Sequence, residues 1–196
     1  GIDWPAANAR VEGPSAYELA RLFRAVWHKQ TGRWFDSDSH PEHAPGAAAV
    51  RIVGNHELLK RFAIREAYVN ALSASQSEVS IANSYFIPDW RIRRSLALAV
   101  RRGVSVRILV PGHSDIRSVW YAMRATYASL LSRGVRIFEW QGSMMHAKAV
   151  VVDGKWCAVG SYNLDHRSLQ HNLEANLQTT DAPFAAELRQ HFELGL

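Results

Sequence analysis

The stretch MMHAKAVVVDGKWCAVGS, Met144 to Ser161, carries a histidine, a lysine and an aspartate inside a run that otherwise reads as two buried strands around a tight turn. A charge taken into such a run is costly unless it is paired or put to chemical use. Side chains two apart on a strand share a face, so His146 and Lys148 are expected to project together while Ala147 and Ala149 point the other way. Asp153 follows at the turn, and then come Gly160, Ser161 and Asn163 of GSYN and Glu174 of NLEAN. These supply a hydroxyl, an amide and a carboxylate. A phosphodiester site needs this inventory: a neutral imidazole to attack phosphorus or protonate a leaving oxygen, fixed positive charge on the non-bridging oxygens, and a carboxylate to hold the imidazole's tautomer. No carboxylate cluster of metal-ligand type accompanies them, so no metal or other cofactor is expected, and the positive charge is expected from Lys148.

HAKAVVVD followed by GSYN and NLE resembles the HKD signature of the phospholipase D superfamily, at His146, Lys148, Asp153, Gly160, Ser161, Asn163 and Glu174. SYFIPD and ALAVRRGVSVRILVPGHSD are similar to the second half of bacterial cardiolipin synthases and related phospholipases, and the likeness runs from about Val50 to the C-terminus. ARVEGPSAYELARLFRAVW resembles the segment that follows the first HKD motif in those two-motif enzymes. The resemblance implies a catalytic set of His146, Lys148, Asp153 and Glu174, with Ser161, Asn163 and His113 at the substrate. In it one histidine is phosphorylated and the other is general acid and base, and His146 is assigned the second role. Lys148 and Asn163 would bind phosphate oxygens, and Glu174 would orient the imidazole with Ser161 nearby. Asp153 caps the turn instead of sharing the strand's face, so little direct chemistry is expected of it. His113, after LVPG at the carboxyl end of a strand, would line the site.

In-line displacement at phosphorus asks for a nucleophile on one side and a proton donor on the other. None of the other eight histidines has a lysine two positions later, so a single motif is present. The chain is therefore expected to be the C-terminal half of a two-motif enzyme, beginning after the first motif; the alternative is a one-motif member completed by a second copy. The implied function is a phosphatidyltransferase that acts on phospholipid phosphodiesters through a phosphohistidine, inactive as a monomer. Two rivals stand beside it: a homodimeric endonuclease of the same superfamily, and a catalytically silent interaction module. The YFIPD and VEGP segments place nucleic acid behind phospholipid as a substrate. The implied location is cytoplasmic, peripheral to the inner membrane in the parent protein.

To position these residues the chain must build an α/β fold. PSAYELARLFRAVWHKQTG reads as an amphipathic helix, with Ser15 and Glu18 fitting a capping box, Leu19, Phe23 and Trp27 on one face, and Gly32 at its end. This piece, residues 1–35, is assigned to the end of a preceding domain, 36–49 to a linker, and 50–196 to the domain bearing the motif. The helix is expected to pack on that domain or on another copy. From Val50 on, strand and helix signals alternate: a strand at Val50–Val53, helices over Glu57–Leu72, Asp89–Arg102 and Asp115–Arg133, strands at EVSIANSYF, VSVRILV, VRIFEW and LEANLQ, and a last helix from Ala182. Two junctions end a helix on Arg-Gly before a strand. Alternation of this kind predicts a mixed, largely parallel sheet flanked by helices on both faces, with the Asp153–Gly154 hairpin adding antiparallel strands.

Composition sets the outer limits. The 196 residues are 47% hydrophobic and 21% charged, enough for one substantial core. The single cysteine, Cys157, permits no disulfide framework and fits a reducing compartment. A net charge of +5 favours anionic partners without naming one. The arginines of the second helix of the domain, Arg91, Arg93, Arg94, Arg101 and Arg102, read mainly as a solvated face.

Overall fold

A computed structural model describes residues 6–35, 46–55 and 61–196. Along the chain run α1 (Pro14–Thr31), β1 (Val50–Gly54), α2 (Ala63–Ala74), β2 (Glu78–Asn83), α3 (Trp90–Arg101), β3 (Ser105–Pro111), α4 (Arg117–Leu131) and β4 (Arg136–Trp140). There follow β5 (Lys148–Val152), β6 (Trp156–Gly160), α5 (His166–Gln170), β7 (Ala175–Thr179) and α6 (Ala182–Leu194). Among the described residues the strands form one seven-stranded sheet in the order β1-β7-β6-β5-β2-β3-β4.

The sheet is mixed, as expected, but its balance is the reverse of the expected one. Only β2 with β3 and β3 with β4 run parallel; β2 with β5, β5 with β6, β6 with β7 and β7 with β1 are antiparallel. After β4 the chain crosses back to the far side of β2 and then meanders outward, so strands separated by helices in sequence meet head to tail.

Alternation along β5 divides the core between the two faces. Val150 and Val152 join Ile64, Tyr68, Leu72, Ile92, Leu96, Met123 and Leu130 under α2, α3 and α4. Ala149 and Val151 turn to the opposite face and meet Cys157, Val159, Ala185 and Leu188 under α6. The period of two therefore fixes the face of every residue on this strand, and Lys148 lies on the side of Val150. At the other end of β5, Asp153 and Gly154 both take positive φ, 54° and 62°, and Lys155 N–H donates to the Val152 carbonyl oxygen at 3.0 Å. This is the primed turn that an Asp-Gly pair favours. Both Arg-Gly junctions have the expected left-handed glycine, Gly103 at φ 89° and Gly134 at φ 86°.

Several boundaries differ from expectation. The start expected for the second helix, at Glu57, lies outside the described residues; the observed helix runs from Ala63 to Ala74 with Phe62 as its N-cap. The fourth helix starts at Arg117 because Ser114 Oγ accepts from Ile116 N–H and turns the chain first. Ser15 and Glu18 form no capping box. Gly13 is the N-cap with Pro14 opening the helix, Ser15 Oγ donates to the Val50 carbonyl oxygen at 3.1 Å, and Glu18 pairs with Arg21. Gly32 does end the helix in the left-handed conformation, φ 70°. No residue of α1 is buried; Phe23, Trp27 and Phe35 cluster with one another and remain exposed. The start of the helix meets the domain through Ser15, and Leu19 lines a cleft of that domain.

Candidate active site

The ends of three neighbouring strands converge on one cleft. Lys148 opens β5, Gly160 closes β6 with Ser161 directly after it, and Glu174 immediately precedes β7. His146, Lys148, Ser161, Asn163 and Glu174 all line a cleft of about 530 Å³ that is open to solvent. Asn172 and Asn176 line it too, and its outer wall is formed by Ala6 to Ala9, Val11 and Leu19. The segment assigned from sequence to a preceding domain thus contributes directly to the site.

Lys148 is the group the fold works hardest to place. Its side chain runs into the sheet at 4% exposure, and Nζ donates to Ser84 Oγ at 3.0 Å and to the His146 carbonyl oxygen at 2.7 Å. Ser84 is itself fixed, since its N–H and its hydroxyl both donate to the Ala147 carbonyl oxygen. Burial pushes the ammonium group's pKa down to about 8, while the charges of Glu174 and Asp165 act in the opposite sense. An anion entering the cleft would supply the stabilisation that burial has removed.

His146 stands just before the strand and is exposed. Desolvation and the neighbouring Lys148 charge lower its pKa from the ordinary 6.5, opposed by Asp115, so the imidazole of the free site is neutral at neutral pH. That is the form suited to accept a proton from an incoming alcohol. A bound phosphate would favour the protonated form needed to release a leaving alcohol.

Glu174 is buried, and Oε1 accepts from Ser168 Oγ at 2.8 Å and from Asn172 Nδ2 at 3.0 Å. Its backbone is pinned by Asn55, which accepts from Glu174 N–H through Oδ1 and donates its own N–H to the Glu174 carbonyl oxygen. Asn163 is 8% exposed, and its Oδ1 has no hydrogen-bond partner among the described residues. That oxygen is shut off from water, while the residue itself lines the cleft. The amide N–H donors at its other end are available to a phosphate oxygen. Asn83 holds the Asn163 loop from both sides, accepting from Leu164 N–H and donating to the Tyr162 carbonyl oxygen.

Gly160 has a steric reason. A Cβ there would overlap the Ala175 carbonyl oxygen and Asn176 Oδ1, so only glycine lets β6 and β7 approach at this edge of the cleft. Ser161 Oγ accepts from Ala175 N–H at 3.1 Å and ties the same two strands together.

Two expected site residues lie elsewhere. Asp153 sits at the far end of β5 and faces away from the cleft. Its carboxylate accepts from the N–H groups of Gln76, Ser77 and Glu78 and from Ser77 Oγ, at 2.7 to 3.0 Å. Burial raises its pKa, but those bonds more than offset that and leave the carboxyl below its ordinary 3.8. Its place is structural: it ties the β5–β6 hairpin to the start of β2. His113 is exposed in the loop after β3 and is not among the residues lining the cleft. β2 lies between β3 and β5, and the cleft opens toward β6 and β7 on the other side. Asp115, two residues on, is the group of that loop whose charge reaches His146, and Tyr85 Oη donates to it at 2.9 Å.

Sequence reasoning also missed Asn55, Asn83, Ser84, Asp165, Ser168, Asn172 and Asn176. Asn83 and Ser84 end an apolar strand with two polar residues at its carboxyl edge, which was a usable signal. His166 opens the short helix α5 and His171 caps its end, while the N-cap Asp165 accepts from Ser168 N–H.

Comparison with known proteins gives the same family. Residues 68–194 match the family described as "Cardiolipin synthase, PLD-like domain". Cardiolipin synthase A of Yersinia pseudotuberculosis is 32% identical over 192 residues, covering 95% of this chain and 40% of that protein. The chain therefore spans less than half the length of the relatives it matches. In fold it is similar to Nuc of Salmonella typhimurium, a phospholipase D family member, with a TM-score of 0.63 and 19% identity over 76% of this chain and 94% of Nuc. It is also similar to phosphatidylserine synthase of Haemophilus influenzae, with a TM-score of 0.56 and 15% identity over 95% of this chain and 47% of the other. With a family match across most of its length and the histidine, lysine, asparagine and glutamate of the motif gathered at one cleft, this chain belongs to the phospholipase D-like domains of cardiolipin synthase type.

Proposed function

We propose that this chain supplies one half of the active site of a phosphatidyltransferase that acts on phospholipid phosphodiesters through a phosphohistidine intermediate. The observation that carries the reading is a buried ammonium group, Lys148, held at the floor of a solvent-open cleft that an exposed imidazole, His146, and the Asn163 amide also line. A phosphodiester satisfies all three at once. Its non-bridging oxygens take the Lys148 ammonium and the Asn163 amide, and its bridging oxygen lies toward His146. The second half, from a preceding motif or from another copy, supplies the histidine that attacks phosphorus. His146 gives its proton to the leaving headgroup alcohol. It then takes a proton from the alcohol that attacks the phosphohistidine, which restores both imidazoles. Glu174 holds the rim of the cleft in place through Ser168 and Asn172 and adds negative potential that keeps Lys148 charged. The relatives this chain matches are cardiolipin synthases, which favours a lipid over other phosphodiesters.

The test is turnover of labelled phosphatidylglycerol and of plasmid DNA by the chain alone and by the chain joined to a second His-x-Lys half. Expected are no turnover by the monomer and phosphatidyl transfer by the completed site, lost in His146→Ala. Nicking of DNA that disappears in His146→Ala, with no lipid product, would overturn the proposal.

A further inference from the structure

Charge is distributed unevenly over this molecule. Between Trp90 and Arg133 there are nine arginines and one carboxylate, Asp115, although the whole chain has a formal net charge of only +5, so the remainder is net acidic. Part of that positive charge is neutralised locally. Arg91 pairs with Glu66, Arg107 with Glu193 and Glu78, and Arg124 with Glu139, while Arg102 donates to the carbonyl oxygens of Leu72 and Ser75. The guanidinium groups of Arg93, Arg94, Arg101 and Arg133 find no carboxylate among the described residues, and all four line one groove of about 730 Å³. One wall is a stripe along the whole of α3, and the other is the C-terminal end of α4 at Ser129 and Arg133. Neither helix contains an acidic residue. Among the cations stand two apolar side chains open to water, Trp90 at 64% exposure and Leu98 at 39%.

We propose that the α3–α4 groove docks this domain on an anionic phospholipid bilayer. A planar guanidinium pairs with phosphate oxygens in a bidentate manner, and unpaired arginines gathered in one place are complementary to a surface of headgroup phosphates. Tryptophan and leucine beside them fit the headgroup boundary, where an indole and an alkyl chain leave water while the cations stay at the charged layer. Leucine offers nothing to a nucleic acid backbone, which favours the bilayer over a polynucleotide. Only the segment Tyr85–Asp89 separates Trp90 from Ser84, the partner of Lys148. The aromatic end of the groove and the cleft therefore share one end of the sheet, and docking would bring the cleft to its lipid. The inference rests on the phosphatidyl reading of that cleft.

Co-sedimentation of the full chain with vesicles of phosphatidylcholine, alone or mixed with phosphatidylglycerol, tests it. The chain should bind only the mixed vesicles, and binding should fall as salt is added. The variant R94A/R101A/R133A should lose on the order of a hundredfold in partition, at roughly fivefold per arginine. W90A should weaken binding as well. All three arginines are exposed, so the triple variant should melt with the parent. A control of equal charge change on the other side of the sequence, R21A/R33A/R51A, should keep binding within a few fold. Equal loss in both triple variants would make net charge the cause and overturn the proposal. So would unchanged binding in the groove variant, or duplex DNA bound through these arginines by a chain that ignores the mixed vesicles. Vesicle binding without phosphatidyl turnover by the completed enzyme would leave docking standing and remove the reading of the cleft. Turnover of a water-soluble short-chain lipid without vesicle binding would do the reverse.

Discussion

Replacing Lys148 by methionine, which keeps the reach of the side chain and removes its charge, is expected to make the protein more stable and chemically inert at the same time. Burial has pushed the ammonium group from its ordinary 10.5 down to about 8. That displacement corresponds to ~3 kcal/mol against the charged form. Water at the cleft and the two hydrogen bonds given up, to Ser84 Oγ and to the His146 carbonyl oxygen, bring the net gain of K148M to about 1–2 kcal/mol at neutral pH. For a chain of this length the gain is roughly 2–8 °C in Tm. Because the folded pKa is depressed, the unfolded chain binds more protons than the folded one between about pH 8 and 10.5. Wild-type stability therefore rises with pH across that window. The advantage of K148M is full below pH 8 and shrinks as pH approaches 10.5. Urea melts of both proteins at neutral pH and near pH ~10 measure it. A variant less stable than wild type at neutral pH, or an advantage equal at both pH values, would refute the account of Lys148 as a charge held at a cost for function.

Asp153→Ala removes the acceptor of four hydrogen bonds and should cost ~2–3 kcal/mol in a denaturant melt, with anion binding in the cleft unchanged within about twofold. Its carboxyl lies below the ordinary 3.8, so the contribution is present above that value and is lost as pH falls through the folded pKa; wild type and variant should converge in acid. Gly160→Ala should cost ~2–3 kcal/mol and weaken anion binding together, because the added methyl group drives β6 from β7 at the rim of the cleft. His146→Ala, at an exposed position, should leave stability within about 0.5 kcal/mol and abolish turnover by the completed site.

What could be read from the sequence was local. His146 and Lys148, two apart on a strand, and Ser161, Asn163 and Glu174, close behind them, needed only a period of two and one Asp-Gly turn to be placed together. The helices were legible from apolar spacing, and Gly32, Gly103 and Gly134 marked three of their ends. What depended on pairing distant segments was not. The antiparallel pairs β2–β5 and β1–β7 follow from the return of the chain after β4, which no local pattern announces. The residues missed are those such pairing delivers: Ser84 to Lys148 across 64 positions, and Asn55 to Glu174 across 119. Asp153 entered the catalytic set only because it belongs to the same sequence signature as His146; its place at the turn was legible, and the length of β5 carries it to the opposite end of the sheet.

The most direct measurement is a titration of the chain with inorganic phosphate followed through the ring resonances of its histidines. His146 should shift, its pKa should rise as the bound anion favours the imidazolium form, and affinity should fall as pH rises past about 8, where Lys148 loses its proton. K148M should abolish the shift. Phosphate that leaves His146 unmoved, or moves it equally in K148M, would contradict the claim that these two side chains form one phosphate site.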